Sequence, residues 1–227
     1  DLESEITDNL STQNGDSVYC KAEWKANTYV LRFITNTLES SYNDAIIQYD
    51  EDIELPSPVK TGYKDGKWVY NGANYEFGKT YSNFTTEYNE AEDKPVVVLE
   101  AVWTPIKYTV IFNTGTTSCS FGPIDLKYDD YLNDSTKQYL PNPTGQLSLQ
   151  GYNPVLKWYN GSIEYEFDSL IENLTTIDGK VITLNIHWTP VEFTISFNAS
   201  DGSGAPSSIK TNYDATITIP STIPTKT

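Results

Sequence analysis

The chain has 227 residues, a formal net charge of −16 and a pI near 4.3. Nucleic acids are bound by concentrated Lys and Arg, so this acidity argues against nucleic acid as a partner. No stretch approaches the roughly 20 apolar residues that span a bilayer, so we expect no direct membrane insertion.

A strand–bend–strand pattern occurs three times, at residues 18–33, 95–112 and 181–197. Apolar residues recur there with the two-residue period that is typical of half-buried strands. A Trp precedes each bend and an aromatic residue lies five positions later, giving the pairs Trp24 and Tyr29, Trp103 and Tyr108, and Trp188 and Phe193. Because the spacing across the bend is constant, we interpret the pattern as a junction between repeated domains. Pro105 and Pro190 fix the backbone at the last two bends, which predicts a stiff connection.

Other landmarks recur between the junctions in a constant order. They are a Tyr (Tyr49, Tyr128, Tyr213), an apolar residue with Pro (Leu55-Pro56, Leu140-Pro141, Ile219-Pro220), Gly-Tyr (Gly62-Tyr63, Gly151-Tyr152) and a Trp (Trp68, Trp158). We expect the recurring Trp68 and Trp158 to be core residues, because a repeat reuses its core more faithfully than a ligand site.

These landmarks predict four segments along the chain. Residues 1–26 are the C-terminal part of a preceding repeat, 27–105 and 106–190 are full repeats, and 191–227 are the N-terminal part of a following repeat. A half-repeat has no complete core. We therefore expect the polypeptide to continue past at least one end, or the half-repeats to be completed by a neighbouring chain.

Helical periodicity is confined to one short stretch. From Tyr165 to Leu174, the apolar residues Phe167, Leu170 and Ile171 have helical spacing, so we expect a short helix at most.

The order of the landmarks resembles the Listeria–Bacteroides repeat, the family that includes the internalin B-repeat. The matching positions are Tyr108–Phe112, Leu140-Pro141, Gly151-Tyr152, Trp158 and Leu184–Trp188, and Leu99–Trp103 matches the family's ending more closely. The chain resembles a divergent member, since Lys67 and Lys157 stand where the family has Gly before its Trp. The resemblance implies a β-rich α+β fold of tandem β-grasp-like repeats joined end to end. It also implies a place in a large extracellular surface protein.

Few residues qualify for catalysis or metal binding. His187 is the only histidine, and its counterparts in the other copies are Val102 and Glu23, so we predict a surface strand position and no catalytic role. Cys20 aligns with the apolar closing-strand positions and is expected in the core. A Cys20–Cys119 bridge is the alternative, which the alignment does not favour.

Acidic residues follow equivalent tyrosines and are candidate Ca²⁺ ligands, namely Asp50, Asp52, Asp129 and Asp130. Calcium takes several oxygen ligands, but the spacing is not that of an EF-hand loop, so a solvated acidic loop is the main interpretation. We predict no cofactor, with calcium as the one alternative.

The sequence thus favours a non-enzymatic, extracellular tandem-repeat segment that acts as a stalk, adhesin or fibre scaffold. One alternative is a carbohydrate- or receptor-binding module of a larger surface protein. Another is a subunit of a self-assembled extracellular filament that is completed in trans. The expected partners are neighbouring repeats or other copies of the chain, with a host or cell-surface protein or glycan as a further possibility.

Overall fold

The structure is a computed structural model that describes residues 10–87 and 94–226. The first nine residues of the predicted segment 1–26 therefore lie outside the described residues. The strands are β1 (Thr28–Ile34), β2 (Ala45–Gln48), β3 (Ile53–Glu54), β4 (Tyr63–Tyr70), β5 (Ala73–Glu76), β6 (Thr80–Tyr81), β7 (Val96–Pro105), β8 (Lys107–Asn113), β9 (Ile124–Lys127), β10 (Tyr152–Pro154), β11 (Trp158–Asn160), β12 (Ile163–Tyr165), β13 (Lys180–Asn185), β14 (Trp188–Pro190), β15 (Glu192–Ile195) and β16 (Ile209–Asn212).

The prediction of a β-rich chain with little helix is confirmed. Among the described residues the only helical element is a single 3₁₀ turn at Asp130–Leu132. None of the described helical structure has the length and apolar character needed to cross a bilayer.

The stretch Tyr165–Leu174, where we expected a short helix at most, forms no helix. Its backbone groups bond to a distant segment, with the Leu140 N–H donating to Ser169 O and the Ile171 N–H donating to Gln138 O. Asp168 also has a φ of 59°, which an α-helix does not allow. Ile171 belongs to the core, and Phe167 and Leu174 pack against it from this non-helical segment.

The chain divides into two compact units, residues 1–58 with 67–101 and residues 59–66 with 102–227. The sheet within residues 27–105 has the order β2-β1-β7-β4-β5. Strands β1 and β7 pair in parallel, from Val30 opposite Val96 to Ile34 opposite Glu100. Trp68 is fully buried, and its indole N–H donates to Pro56 O over 2.9 Å.

The second unit contains a sheet with the equivalent order β9-β8-β13-β11-β12. In chain order, the first and last strands of this sheet are β8 and β13. They lie side by side at its centre and pair in parallel, as β1 and β7 do. Trp158 is fully buried and donates to Pro141 O over 2.8 Å, so both tryptophans anchor the apolar-Pro landmark of their own repeat. Strands β15 and β16 then form an antiparallel pair, as β8 and β9 do.

The closing strand of the second repeat is broken where that of the first is continuous. Strands β13 and β14 are separated by Ile186 and His187, and the Val155 N–H donates to the His187 carbonyl there. His187 is exposed and stacks on the Tyr159 ring at 3.9 Å between ring centroids. It therefore lies at a strand break rather than within a continuous closing strand.

Candidate functional site: a repeated tyrosine joint

Two landmarks that are far apart in sequence, Gly62-Tyr63 and Tyr128-Asp129, meet within the second unit. Ile106 connects them through the backbone. Its N–H donates to Gly62 O over 3.0 Å, and its carbonyl accepts the Tyr128 N–H over 3.0 Å. We call this arrangement the Tyr63–Asp129 joint.

Gly62 allows close contact between backbone and ring in this joint. Its φ of +79° lies in the left-handed region, and a Cβ at this position would be 2.3 Å from Tyr128 Cγ. A carbon pair at that distance is far inside van der Waals contact. The tyrosine ring therefore packs directly on the Gly62 backbone, and no larger residue fits without moving the ring.

Tyr63 completes the joint with an aromatic contact and a hydrogen bond. Its ring meets Tyr128 edge to face, with centroids 5.9 Å apart, and its hydroxyl donates to Asp129 Oδ2 over 2.8 Å. Burial and the hydrogen bond to the Asp129 carboxylate raise the pKa of Tyr63 to about 12. The neutral hydroxyl is thus the form that the joint stabilises.

Asp129 is held in place from its other side by Asn173. The Asp129 N–H donates to Asn173 Oδ1 over 2.7 Å, and Asn173 Nδ2 donates to Asp129 Oδ1 over 2.7 Å. Asp129 has a φ of 64°, a backbone conformation that Asp tolerates better than most residues. We call the two hydrogen bonds with Asn173 the clamp on Asp129. They leave Asp129 Oδ2 to accept the hydrogen bond from the Tyr63 hydroxyl.

The second unit contains the same joint a second time. The Val191 N–H donates to Gly151 O over 2.9 Å, and the Tyr213 N–H donates to Val191 O over 2.9 Å. A Cβ on Gly151 would be 2.3 Å from Tyr213 Cγ. Tyr152 meets Tyr213 edge to face at 5.6 Å and donates to Asp214 Oδ2 over 3.1 Å, which raises the pKa of Tyr152. We call it the Tyr152–Asp214 joint.

The predicted junction residues differ in burial. Tyr29 and Tyr108 are buried, whereas Trp103, Trp188 and Pro105 are half-buried and Pro190 is exposed. The Trp188 indole N–H donates to Thr114 O over 2.9 Å within its own repeat.

The predicted core positions of two junction residues, Trp24 and Phe193, are wrong. Trp24 is 89% exposed and Phe193 is 45% exposed, so neither has the core position that the alignment predicted. Phe193 lies on β15, whose sheet has two strands in the described part of the chain. Trp24 lies in residues 10–26, which form no strand in the structure as described.

The predicted core position of Cys20 is also wrong. Cys20 is exposed, because its segment joins no sheet among the described residues, whereas Cys119 is buried. Both cysteines are free thiols in the structure.

Three of the four candidate calcium ligands have hydrogen-bond partners in the protein. Asp50 pairs with Asn83, Asp129 with Asn173 and Tyr63, and Asp130 Oδ2 accepts the Lys127 N–H over 2.7 Å. Asp52 is exposed. No cluster of three or more metal-ligating side chains occurs among the described residues. These carboxylates act here as acceptors that shape turns and joints.

The contact between the two landmarks was not predicted from the sequence, although a signal for it exists. Each landmark Tyr is followed directly by Asp, in Tyr49-Asp50, Tyr128-Asp129 and Tyr213-Asp214. An Asp that recurs beside a recurring Tyr indicates a shared polar contact, and only the fold shows that its donor is the Tyr of Gly-Tyr.

No family model matches the chain, and a search of curated proteins found no significant match.

Proposed function

We propose that the chain is a non-enzymatic tandem-repeat segment of an extracellular surface protein, acting as a stalk, adhesin segment or fibre scaffold. The observation that carries this proposal is the repeated joint. The Tyr63–Asp129 and Tyr152–Asp214 joints share the two backbone hydrogen bonds through Ile106 or Val191, the contact of a tyrosine ring with a glycine backbone, and the hydrogen bond from Tyr to Asp. A spacer needs the same contact at every boundary, whereas an enzyme or a binding module needs one specialised cavity.

We also propose that the repeats are β-grasp-like and related to the Listeria–Bacteroides repeat. The support is the central parallel pairing of the first and last strands, β1 with β7 and β8 with β13, flanked by antiparallel neighbours. The fully buried Trp68 and Trp158 at equivalent positions support a common core.

The mechanical role has a direct test within the second unit. Spin labels on cysteines introduced at Thr183 and Lys210, both exposed, report on the pair β15–β16 relative to β13, after replacement of Cys20 and Cys119 by Ser. We expect a narrow distance distribution by pulsed electron paramagnetic resonance, broadened by Gly151→Ala. The matched control Gly145→Ala should leave it narrow. A broad distribution in the unsubstituted joint would overturn the stiff-spacer proposal.

The proposed location is tested separately. Antibodies against the chain should label intact cells of its source. Labelling that appears only after permeabilisation would contradict an extracellular role.

A further inference from the structure

Tyr49 and Asp50 reproduce one side of the joints just described. The Tyr49 N–H donates to Asn27 O over 2.8 Å, as the Tyr128 N–H donates to Ile106 O. Asp50 has a φ of 65°, beside 64° for Asp129. The backbone of this half-joint therefore has the conformation of the complete one.

Asp50 is also held by the same clamp as Asp129. The Asp50 N–H donates to Asn83 Oδ1 over 2.7 Å, and Asn83 Nδ2 donates to Asp50 Oδ1 over 2.9 Å. In the complete joint, Asp129 Oδ2 accepts the Tyr63 hydroxyl. Asp50 Oδ2 accepts no hydrogen bond from any residue that the structure describes, so its position is prepared for a donor.

A cleft lies beside Tyr49 and Asp50. It has a volume of about 650 Å³ and is lined by residues that include Trp24, Asn27, Tyr49, Asp50 and Thr86. Residues 24–26 beside it are exposed and unpaired within the described ranges. Their counterpart, β14, pairs antiparallel with β10, from Tyr152 opposite Pro190 to Pro154 opposite Trp188. The cleft thus combines a segment without backbone pairing among the described residues with a carboxylate oxygen that has no donor there.

We propose that the Tyr49–Asp50 cleft is a docking site for the Gly-Tyr strand of another repeat domain. The incoming Gly packs on the Tyr49 ring, the incoming Tyr donates its hydroxyl to Asp50 Oδ2, and the strand pairs antiparallel with residues 24–26. Both Gly-Tyr pairs of this chain are already used in its own joints. The occupant is therefore a repeat whose Gly-Tyr strand is free, not a second intact copy. This inference rests on the proposed function, because it assumes that the joint connects repeats.

A peptide with the sequence of residues 58–67, which contains Gly62-Tyr63, is the probe. It is titrated into the ¹⁵N-labelled full chain and followed by NMR. We expect saturable shifts at the amides of Tyr49 and Asp50 and at the Trp24 indole. A peptide with Tyr replaced by Phe should bind at least about tenfold more weakly, since it lacks the hydrogen bond to a carboxylate. A peptide with Gly62 replaced by Ala should not bind there, because its Cβ would meet the ring.

Changes in the protein give the matched control. Asp50→Ala should weaken binding of the unaltered peptide about tenfold or more. Asp52 is exposed and lies two residues after Asp50. Asp52→Ala removes the same charge and should leave the affinity for the peptide within about twofold. The peptide variants require no change in the protein, so a folding defect in Asp50→Ala would not obscure the outcome.

Equal binding of all three peptides would overturn the proposal. So would the absence of local shifts, both with free peptide and with the peptide tethered ahead of Asp1 by a flexible linker that raises its effective concentration to the millimolar range. Peptide-independent dimers, lost in Asp50→Ala, would show that a second copy is the occupant and would also overturn it. Surface labelling and the spin-label distances do not enter this test, so failure here is distinguishable from failure of the proposed function.

Discussion

Replacement of Gly151 by Ala tests the joint most directly, because the chain contains a matched glycine. Gly151 has a φ of +78° and Gly145 a φ of +79°, so Ala carries nearly the same backbone strain at both positions. A Cβ on Gly145 meets nothing within 4 Å, whereas a Cβ on Gly151 would be 2.3 Å from Tyr213 Cγ. The difference between the two variants therefore isolates the contact between Gly151 and the tyrosine ring.

The expected loss of stability follows from the contacts that the Tyr213 ring loses. Ala in the left-handed region costs about 1–2 kcal/mol, and this term applies to both variants. To accept the new Cβ, the Tyr213 ring has to move by about 1 Å, to reach an ordinary carbon–carbon contact. It then loses much of its edge-to-face contact with Tyr152, worth about 0.5–1.5 kcal/mol, and weakens the hydrogen bond of Tyr152 to Asp214, worth about 1 kcal/mol. We therefore expect Gly151→Ala to cost about 2 kcal/mol more than Gly145→Ala.

Hydrogen exchange measures this difference where it arises. The amides of Val191 and Tyr213 donate within the joint, so their exchange reports its opening. A cost of about 2 kcal/mol corresponds to roughly 30-fold faster exchange at these amides in Gly151→Ala than in Gly145→Ala. The Gly151 α-protons should also show a ring-current shift in the unsubstituted chain. Equal exchange in the two variants would refute the argument that the ring packs on the glycine backbone.

Three further predictions follow from other parts of the structure. Burial and the hydrogen bond to Asp129 raise the pKa of Tyr63 to about 12, above the ordinary value of about 10. The unfolded state therefore loses the Tyr63 proton at a lower pH than the folded state does. For this reason the contribution of Tyr63 to stability declines from pH 10 to 12. Denaturant midpoints across this range should fall less steeply in Tyr63→Phe than in the unsubstituted chain, and parallel curves would contradict the assignment. Trp158→Ala should lower the free energy of unfolding by about 3–5 kcal/mol. Trp103→Ala should lower it clearly less, because Trp103 is only half-buried. Equal costs would show that burial does not determine the loss of stability. A thiol reagent should modify Cys20 at once and Cys119 only on unfolding, and immediate reaction of both would contradict the buried position of Cys119.

The sequence by itself determined the strand content and the positions that recur. Alternating apolar residues predict strands wherever one face is buried, and the strands at Thr28–Ile34, Val96–Pro105 and Lys107–Asn113 follow that pattern. The recurrence of Trp68 and Trp158 indicated a core residue because packing constrains a buried indole in every copy, and both are fully buried. Periodicity misled at Tyr165–Leu174, where apolar residues with helical spacing enter the core from a loop.

Only the tertiary structure decided which landmarks contact each other and which are exposed. Gly62 and Tyr128 are far apart in sequence, and their contact depends on the chain returning through Ile106 to align their backbones. Burial likewise depends on neighbours, and so Trp24 and Phe193 match the junction pattern yet are exposed. A local pattern specifies the face that a residue presents, whereas the partner of that face is supplied by distant segments. For this reason the sequence predicted the repeats, but the joint between Gly-Tyr and Tyr-Asp was visible only in the fold.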